Sequence, residues 1–192
     1  MTRWHFVRHG PTHARGAIGW TDLPADLSDT AAVGRLAASL PADGVVVSSD
    51  LSRAVSTADA ITGPRQRLAH DAQLREIHFG AWEGLSFDEI GTQDGDLLER
   101  YWRTPGPVAP PGGESWDALT ARVAAVVDAL NGQHEDVIAV AHFGVILAAL
   151  GRAAGLDPTS VMRFQVEPLS LTRLTWLGAR QGWRVEAVNR LP

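Results

Sequence analysis

Two histidines in this sequence follow buried strands, where an imidazole can do chemistry. Residues 6–10, Phe-Val-Arg-His-Gly, end an apolar stretch at Arg8 and His9, and Gly10 with the proline after it stops the strand. Open α/β sheets bind their ligands at the carboxyl ends of strands. An imidazole there can attack phosphorus, and a guanidinium beside it can hold two phosphate oxygens at once. The alternative is a solvated strand end, and this string alone does not decide between them.

The second histidine, His142, repeats this arrangement. It ends the apolar stretch 137–141, and a predicted helix begins directly after it. The N-terminus of a helix offers free N–H groups and a positive potential, so it can bind an anion. A protonated His142 would add positive charge there. A lone histidine at such a place is more often structural, but two of them, each at the end of a buried strand, favour a shared site.

Arg53 is the next candidate. It follows the short apolar strand 45–47 and lies near the predicted N-terminus of a helix. A second arginine beside Arg8 would complete a clamp on one phosphate. The alternative is a solvated residue in the first turn, behind an N-cap at Ser49 or Asp50.

Glu76 is the candidate general acid. Apolar neighbours at Leu74, Ile77 and Phe79 predict a partly desolvated carboxyl group, and desolvation raises a carboxyl pKa toward the range useful for proton donation. The alternative for Glu76 is an exposed carboxylate paired with an arginine. Glu83 competes for the acid role, although its neighbours suggest a turn.

Composition narrows the chemistry further. The chain has 192 residues, 45% of them hydrophobic and 20% charged, which fits a single domain over 1–192. It has no cysteine, which excludes disulfides, zinc–thiolate sites and thiol nucleophiles. All 17 basic residues are arginine, so an anion must be held by arginine, histidine or backbone amides. The formal net charge of −5 argues against nucleic acid as a partner.

The sequence also predicts where the protein is found. No segment approaches the roughly 18 apolar residues that a membrane span needs. Residues 1–3 lead straight into a strand, without the apolar run of a signal peptide. We therefore expect a cytoplasmic protein without a membrane partner.

Strand and helix patterns alternate along the whole chain. This alternation predicts an α/β fold, a three-layer sandwich with a mostly parallel central sheet. The region 86–103 predicts one or two short helices, broken near Gly91 and Gly95, and the Pro- and Gly-rich stretch 104–113 predicts a loop. We interpret about 82–113 as a lid-like insertion over the edge of the sheet. The other predicted strands are 3–8, 45–47, 136–141, 169–177 and 183–189, and the other predicted helices are 28–40, 52–61, 114–130 and the one ending near Ala154.

Several short strings in order resemble the histidine phosphatase superfamily, which includes the phosphoglycerate mutases. The resemblance covers roughly residues 4 to 150, and although each string is weak alone, their order is specific. The strings are Arg-His-Gly, Ser-Asp-Leu-Ser-Arg-Ala, Leu-Arg-Glu-Ile-x-Phe-Gly-x-Trp-Glu-Gly, Gly-Gly-Glu-Ser and Val-Ala-His.

The resemblance implies a phosphoglycerate mutase-like fold and a role for each candidate. His9 would be the nucleophile that forms a phosphohistidine, while Arg8, Arg53 and His142 would bind the phosphate and stabilise its transfer. Glu76 would protonate the leaving oxygen and then activate water. No metal and no cofactor are implied. We assign the string 112–115 to architecture and loop placement.

Departures from the family pattern lie around the implied site. Arg15 replaces the asparagine expected to touch phosphate, and Phe143 follows the second histidine where the family has glycine. The loop 19–28 resembles the family's substrate loop but is two residues longer. With Trp102 in the lid-like segment, Arg15 and Phe143 are our candidates for substrate binding, and the natural substrate stays open.

The favoured function is a phosphomonoesterase that hydrolyses a small phosphorylated metabolite, similar to phosphatases of the α-ribazole type. The alternatives are phosphoglycerate mutase-type transfer and a module that binds phosphorylated ligands without turnover. A homodimer is left open. A metal-dependent hydrolase is disfavoured because Gly10 and Pro11 keep His9 and His13 off one helix face; it would use His5, His9, His13 and His142.

Overall fold

Five strands form one mixed sheet in the computed structural model, which describes residues 1–192. The strands lie in the order β2-β3-β1-β4-β5. They are β1 (Thr2–Arg8), β2 (Val45–Ser48), β3 (Asp136–Ala141), β4 (Leu171–Trp176) and β5 (Trp183–Arg190). All five lie close to the spans that the sequence predicts.

Only part of this sheet is parallel. The strand β3 pairs in parallel with both β1 and β2, whereas β4 runs antiparallel to β1, and β5 antiparallel to β4. The prediction of a mostly parallel sheet is therefore wrong for the late strands. The turn 177–182 between them is too short for the crossover that a parallel pair requires, so they form a hairpin.

Helices pack against the sheet through two apolar clusters. Alternate strand residues point to opposite faces. Trp4, Phe6 and Ala139 join the cluster of α4 and α5, whereas Val7 and Ile138 join that of α1 and α2. None of the helices combines the length and apolar character needed to cross a bilayer. The helices are α1 (Thr30–Ser39), α2 (Ser52–Thr62), α3 (Phe87–Arg103), α4 (Trp116–Leu130), α5 (Phe143–Ala154) and α6 (Pro158–Val161).

The helix α3 has a third, small core of its own. Trp82, Ile90 and Tyr101 are buried together there. The predicted break appears as a kink at Asp94, whose φ of −133° and ψ of 39° are not helical. The carboxylate of Asp94 accepts a hydrogen bond of 2.8 Å from the indole of Trp82, which ties the kink to this small core.

The parallel strands bring the chemically interesting residues to one place. Arg8 at the end of β1 lies opposite Ala141 at the end of β3, so the residues that follow each strand are neighbours. The His9 amide donates to the Ala141 carbonyl at 3.0 Å, which extends the pairing by one step. The end of β2 is tied in similarly, since the Ser49 amide donates to Val140 at 3.1 Å.

Candidate active site

His9 and His142 lie side by side, with ring centroids 5.0 Å apart. Nδ1 of His9 lies 2.7 Å from the carbonyl of Gly10, which fixes the tautomer with the proton on Nδ1. Burial lowers the pKa of His9 to about 3, and the charges of Arg53 and Arg8 act in the same direction. His9 is therefore neutral near pH 7, with Nε2 free as a nucleophile.

His142 is fully buried and also neutral. Burial lowers its pKa well below the ordinary value, with further lowering from His9 and Arg53. The Arg53 Nε donates to His142 Nδ1 at 3.3 Å, so the ring proton lies on Nε2, a buried atom without a partner in the protein. Burial thus works against the positive charge expected on His142. His142 offers a neutral N–H donor.

The two arginines flank these rings. Arg53, only 2% exposed, donates to the carbonyls of Gly19 at 2.6 Å and Thr21 at 2.9 Å. Arg8 donates to the Val166 carbonyl at 2.6 Å, and its buried Nε has no partner in the protein. Arg53 is therefore not the solvated first-turn residue of the alternative interpretation.

Glu76 is buried against the N-terminus of α5. Its carboxylate accepts from the amides of Ile77 at 2.9 Å and Gly144 at 3.1 Å. Burial raises the pKa of Glu76, while these two hydrogen bonds oppose the rise. Arg75 pairs with Asp50 instead, so the alternative of an exposed Glu76 carboxylate paired to an arginine does not hold. The amide of Gly144 at the N-terminus of α5 is thus paired with the Glu76 carboxyl group.

Glu83, the competing acid, has a different environment. Its carboxylate accepts from the amides of Gly19, Trp20, Thr21 and Phe79 and from the Thr21 hydroxyl, at 2.7–3.2 Å. Burial pushes the pKa of Glu83 upward, but these hydrogen bonds outweigh it and hold the pKa below its usual value. Glu83 thus stays ionised and organises the loop 19–21, whose carbonyls accept from Arg53.

Arg122 is a positioning residue that the sequence analysis missed. It donates to the carbonyls of Gln73, Arg75 and Glu76 at 2.5–2.9 Å, and its Nε pairs with Glu114 at 2.7 Å. It therefore fixes the irregular segment that carries Glu76. The sequence shows only that Arg122 is an arginine beside the apolar stripe of α4. That position does not reveal which residues Arg122 contacts. The Glu114 contacts fit the architectural role assigned to the string 112–115.

One small cleft of about 210 Å³ brings most of the candidates together. Three candidates lie outside its lining: His142 is fully buried beside His9, Arg15 is exposed on the loop 12–18, and Trp102 contacts Phe87. Substrate binding by Arg15 and Trp102 stays a prediction, and Arg15 lies between two lining residues, Ala14 and Gly16. The lining comprises Arg8, His9, Thr12, Ala14, Gly16, Ala17, Ile18, Arg53, Glu76, Phe79, Phe87 and Phe143.

The histidines of the metal-site alternative are scattered. His5 pairs with Asp136 near the opposite end of β1, and His13 pairs with Asp26 on the surface. Only His9 and His142 are neighbours, and no group of three or more metal-binding side chains converges anywhere in the chain.

The fold and this cleft define a class of α/β proteins with a histidine–arginine site at the carboxyl end of a sheet. The chain belongs to branch 1 of the histidine phosphatase superfamily, whose family model matches residues 4–190.

Relatives and a solved structure support this assignment. The bifunctional protein Rv2228c of Mycobacterium tuberculosis is 33% identical over 89% of this chain, which spans about half (49%) of that protein. The glucosyl-3-phosphoglycerate phosphatase of Mycolicibacterium vanbaalenii is 36% identical over 81% of this chain and 76% of its own length. The structure of Bacillus stearothermophilus YhfR superposes with a TM-score of 0.89 at 26% identity, covering 100% of this chain and 98% of that one.

The first prediction concerns Gly144. A Cβ at this position would lie 2.4 Å from Glu76 Oε1, so Gly144→Ala must displace the buried carboxylate. We expect a loss of about 1–3 kcal/mol in the free energy of unfolding, measured with urea, because a buried group loses its partner. Gly34→Ala in α1, where a Cβ meets nothing within 4 Å, is the control and should gain about 0.5–1 kcal/mol. A stabilised Gly144→Ala would contradict the tight contact.

The second prediction concerns acid stability. Because the native pKa of His9 is lowered to about 3, the unfolded chain binds more protons as the pH falls below the ordinary histidine pKa. Stability is therefore lost on acidification, by up to about 1.4 kcal/mol per pH unit from this group. Between pH 7 and 5, His9→Asn should therefore reduce the slope of unfolding free energy against pH by up to about 1.4 kcal/mol per pH unit. His134→Asn, outside the cleft, is the control; equal slopes in wild type and His9→Asn would refute the buried neutral imidazole.

Proposed function

We propose that this protein is a phosphomonoesterase that hydrolyses a small phosphorylated metabolite through a phosphohistidine, without a metal or a cofactor. One observation carries the proposal: the neutral His9, its Nδ1 tied to Gly10, shares a cleft with two arginines and a buried carboxyl group. A module that only binds phosphate esters needs the arginines, but neither the nucleophile nor the acid.

In the first step, His9 Nε2 attacks phosphorus while the bond to the ester oxygen breaks. The proton of the Glu76 carboxylic acid goes to the leaving oxygen, which departs as the alcohol. Arg8, Arg53 and the Nε2–H of His142 donate to the phosphoryl oxygens, where negative charge must be stabilised. The raised pKa of Glu76 favours the protonated acid that this step needs.

In the second step, the ionised Glu76 takes a proton from water. The water oxygen attacks phosphorus, the bond to Nε2 breaks, and inorganic phosphate leaves. His9 returns to the neutral state, and Glu76 is protonated again for the next turnover. One carboxyl group can serve both steps because donation in the first makes it a base for the second.

Because the superfamily includes both phosphatases and phosphoglycerate mutases, the support for hydrolysis comes from the phosphatase name of a relative. A mutase must retain its substrate and return the phosphoryl group to it. The open lining around His9 has no cation beyond Arg8 and Arg53 that could hold a carboxylate for this purpose.

The third prediction tests the nucleophile. His9→Ala should lower the turnover of p-nitrophenyl phosphate, assayed with a chelator present, by at least about a thousandfold, because the displacement then lacks its attacking atom. Rapid acid-free quenching of the wild type should trap acid-labile phosphate on His9. His13→Ala, at an exposed histidine, is the control. Substantial turnover by His9→Ala would rule out the phosphohistidine.

The fourth prediction tests the acid. Glu76→Gln should slow alkyl phosphates by about 10²–10⁴-fold but p-nitrophenyl phosphate far less, because p-nitrophenolate leaves without a proton. Glu83→Gln is the comparison, since it weakens the loop beside Arg53 and should slow both substrates alike. The ratio of kcat/KM for the two substrates is the measurement. If Glu83→Gln alters this ratio and Glu76→Gln does not, the acid is Glu83.

A further inference from the structure

We infer that the cleft selects phosphate esters whose leaving group is uncharged and apolar, above all aromatic, and that Phe87, held by Trp102, is the main residue that selects them. The inference deepens the proposed function, on which it rests.

Away from the phosphate-binding groups, the wall of the cleft is apolar. Three phenylalanines, Phe79, Phe87 and Phe143, line it together with Ile18 and Ala17. The ring of Phe143 also faces the guanidinium of Arg8, whose carbon lies 5.5 Å from the ring centroid. A leaving group that extends from phosphate therefore meets aromatic faces and methyl groups.

Cations that could bind a second anionic group are absent from this wall. The lining holds two cations, Arg8 and Arg53, and the proposed mechanism uses both of them to bind the phosphoryl group. Among the arginines of α3, Arg103 pairs with Glu99 at 2.9 Å, and Arg100 is exposed outside the lining. A carboxylate on the leaving group would lose water without gaining a partner, which disfavours its binding.

An exposed aromatic pair continues the apolar wall outward. Phe87 is 47% exposed and Trp102 is 48% exposed, with their ring centroids 5.7 Å apart in an edge contact. Trp102 in turn contacts the buried Tyr101 at 5.3 Å. Large exposed apolar side chains that adjoin a cleft mark a binding surface, because burial of such surface favours association. Trp102 thus acts through Phe87 as a positioning residue.

The first experiment measures binding, which does not depend on turnover. Calorimetry compares the affinities of propylphosphonate, 3-phenylpropylphosphonate and 3-phosphonopropanoate, which share a phosphonate but differ in the group beyond it. We expect the phenyl compound to bind at least tenfold more tightly than the propyl compound, and the carboxylate compound no more tightly than it. Tightest binding of the carboxylate compound, or no gain from the phenyl ring, overturns the inference.

The second experiment measures kcat/KM for propyl phosphate, 3-phenylpropyl phosphate and 3-phosphoglycerate. All three release an alkoxide-type leaving group, so intrinsic reactivity does not favour the aromatic substrate. The wild type should prefer the phenyl ester to propyl phosphate by at least tenfold. Phe87→Ala should reduce this preference to threefold or less.

Variants of Trp102 and a control variant test whether Trp102 acts through Phe87. Trp102→Ala should lower the phenyl preference part of the way, and Trp102→Phe should restore it, which a purely structural role would not do. Phe164→Ala, at an exposed phenylalanine outside the cleft, should keep the wild-type preference. An unchanged phenyl preference in Phe87→Ala, or a 3-phosphoglycerate activity that Arg15→Ala abolishes, overturns the inference.

The two experiments together distinguish failure of the proposed function from failure of the inference about the substrate class. If none of the three esters is hydrolysed but the phosphonates keep the expected order of affinity, the cleft binds apolar phosphate esters without turning them over. If the esters are hydrolysed without any preference for the phenyl group, the phosphatase function stands and the inference about its substrate class fails.

Discussion

Two guanidinium groups lie together in a buried cleft, and the rest of the site is arranged around this concentration of charge. Like charges at close range in a poorly hydrated place repel each other strongly. Both histidines of the site are held neutral beside Arg8 and Arg53, and the carboxyl group of Glu76 attracts both arginines. Backbone carbonyls from distant loops accept the remaining donors that the structure pairs. A cleft so balanced is preorganised for an anion, because the donors need not reorganise when one arrives.

The site has two structural parts. The histidines and Arg8 come directly from strand ends, where the sheet fixes the backbone. Glu76 instead lies on an irregular segment that is positioned by side chains: Arg122 accounts for three of its carbonyl contacts, and the Trp20 indole donates to the Glu76 carbonyl at 2.8 Å. The part of the site proposed to bind phosphate thus depends on the sheet, whereas the position of the proposed acid depends on a few polar contacts.

Much of the fold and several site residues could be predicted because their signals are local. A histidine after an apolar run marks a strand end wherever it occurs, and this is enough to place His9 and His142 together once their strands are parallel neighbours. The backbone carbonyls that accept from Arg122 lie 46–49 positions away, and no local pattern encodes such contacts. Similarly, Trp102 and Phe87 are both aromatic residues of α3, and only the course of the kinked helix decides which one faces the cleft.

The helix α3 packs on the small core around Trp82, Ile90 and Tyr101, and Phe79 is the side chain that packs against both this core and one core of the sheet. Changes in residues of α3 that face the cleft therefore need not disturb the packing that aligns the strand ends. Such a division makes the protein modular: mutations in α3 can change the surface beside the cleft while His9, His142 and Arg8 keep their geometry. Related proteins with this arrangement can therefore diverge through changes in α3 alone, while the residues at the strand ends stay in place throughout.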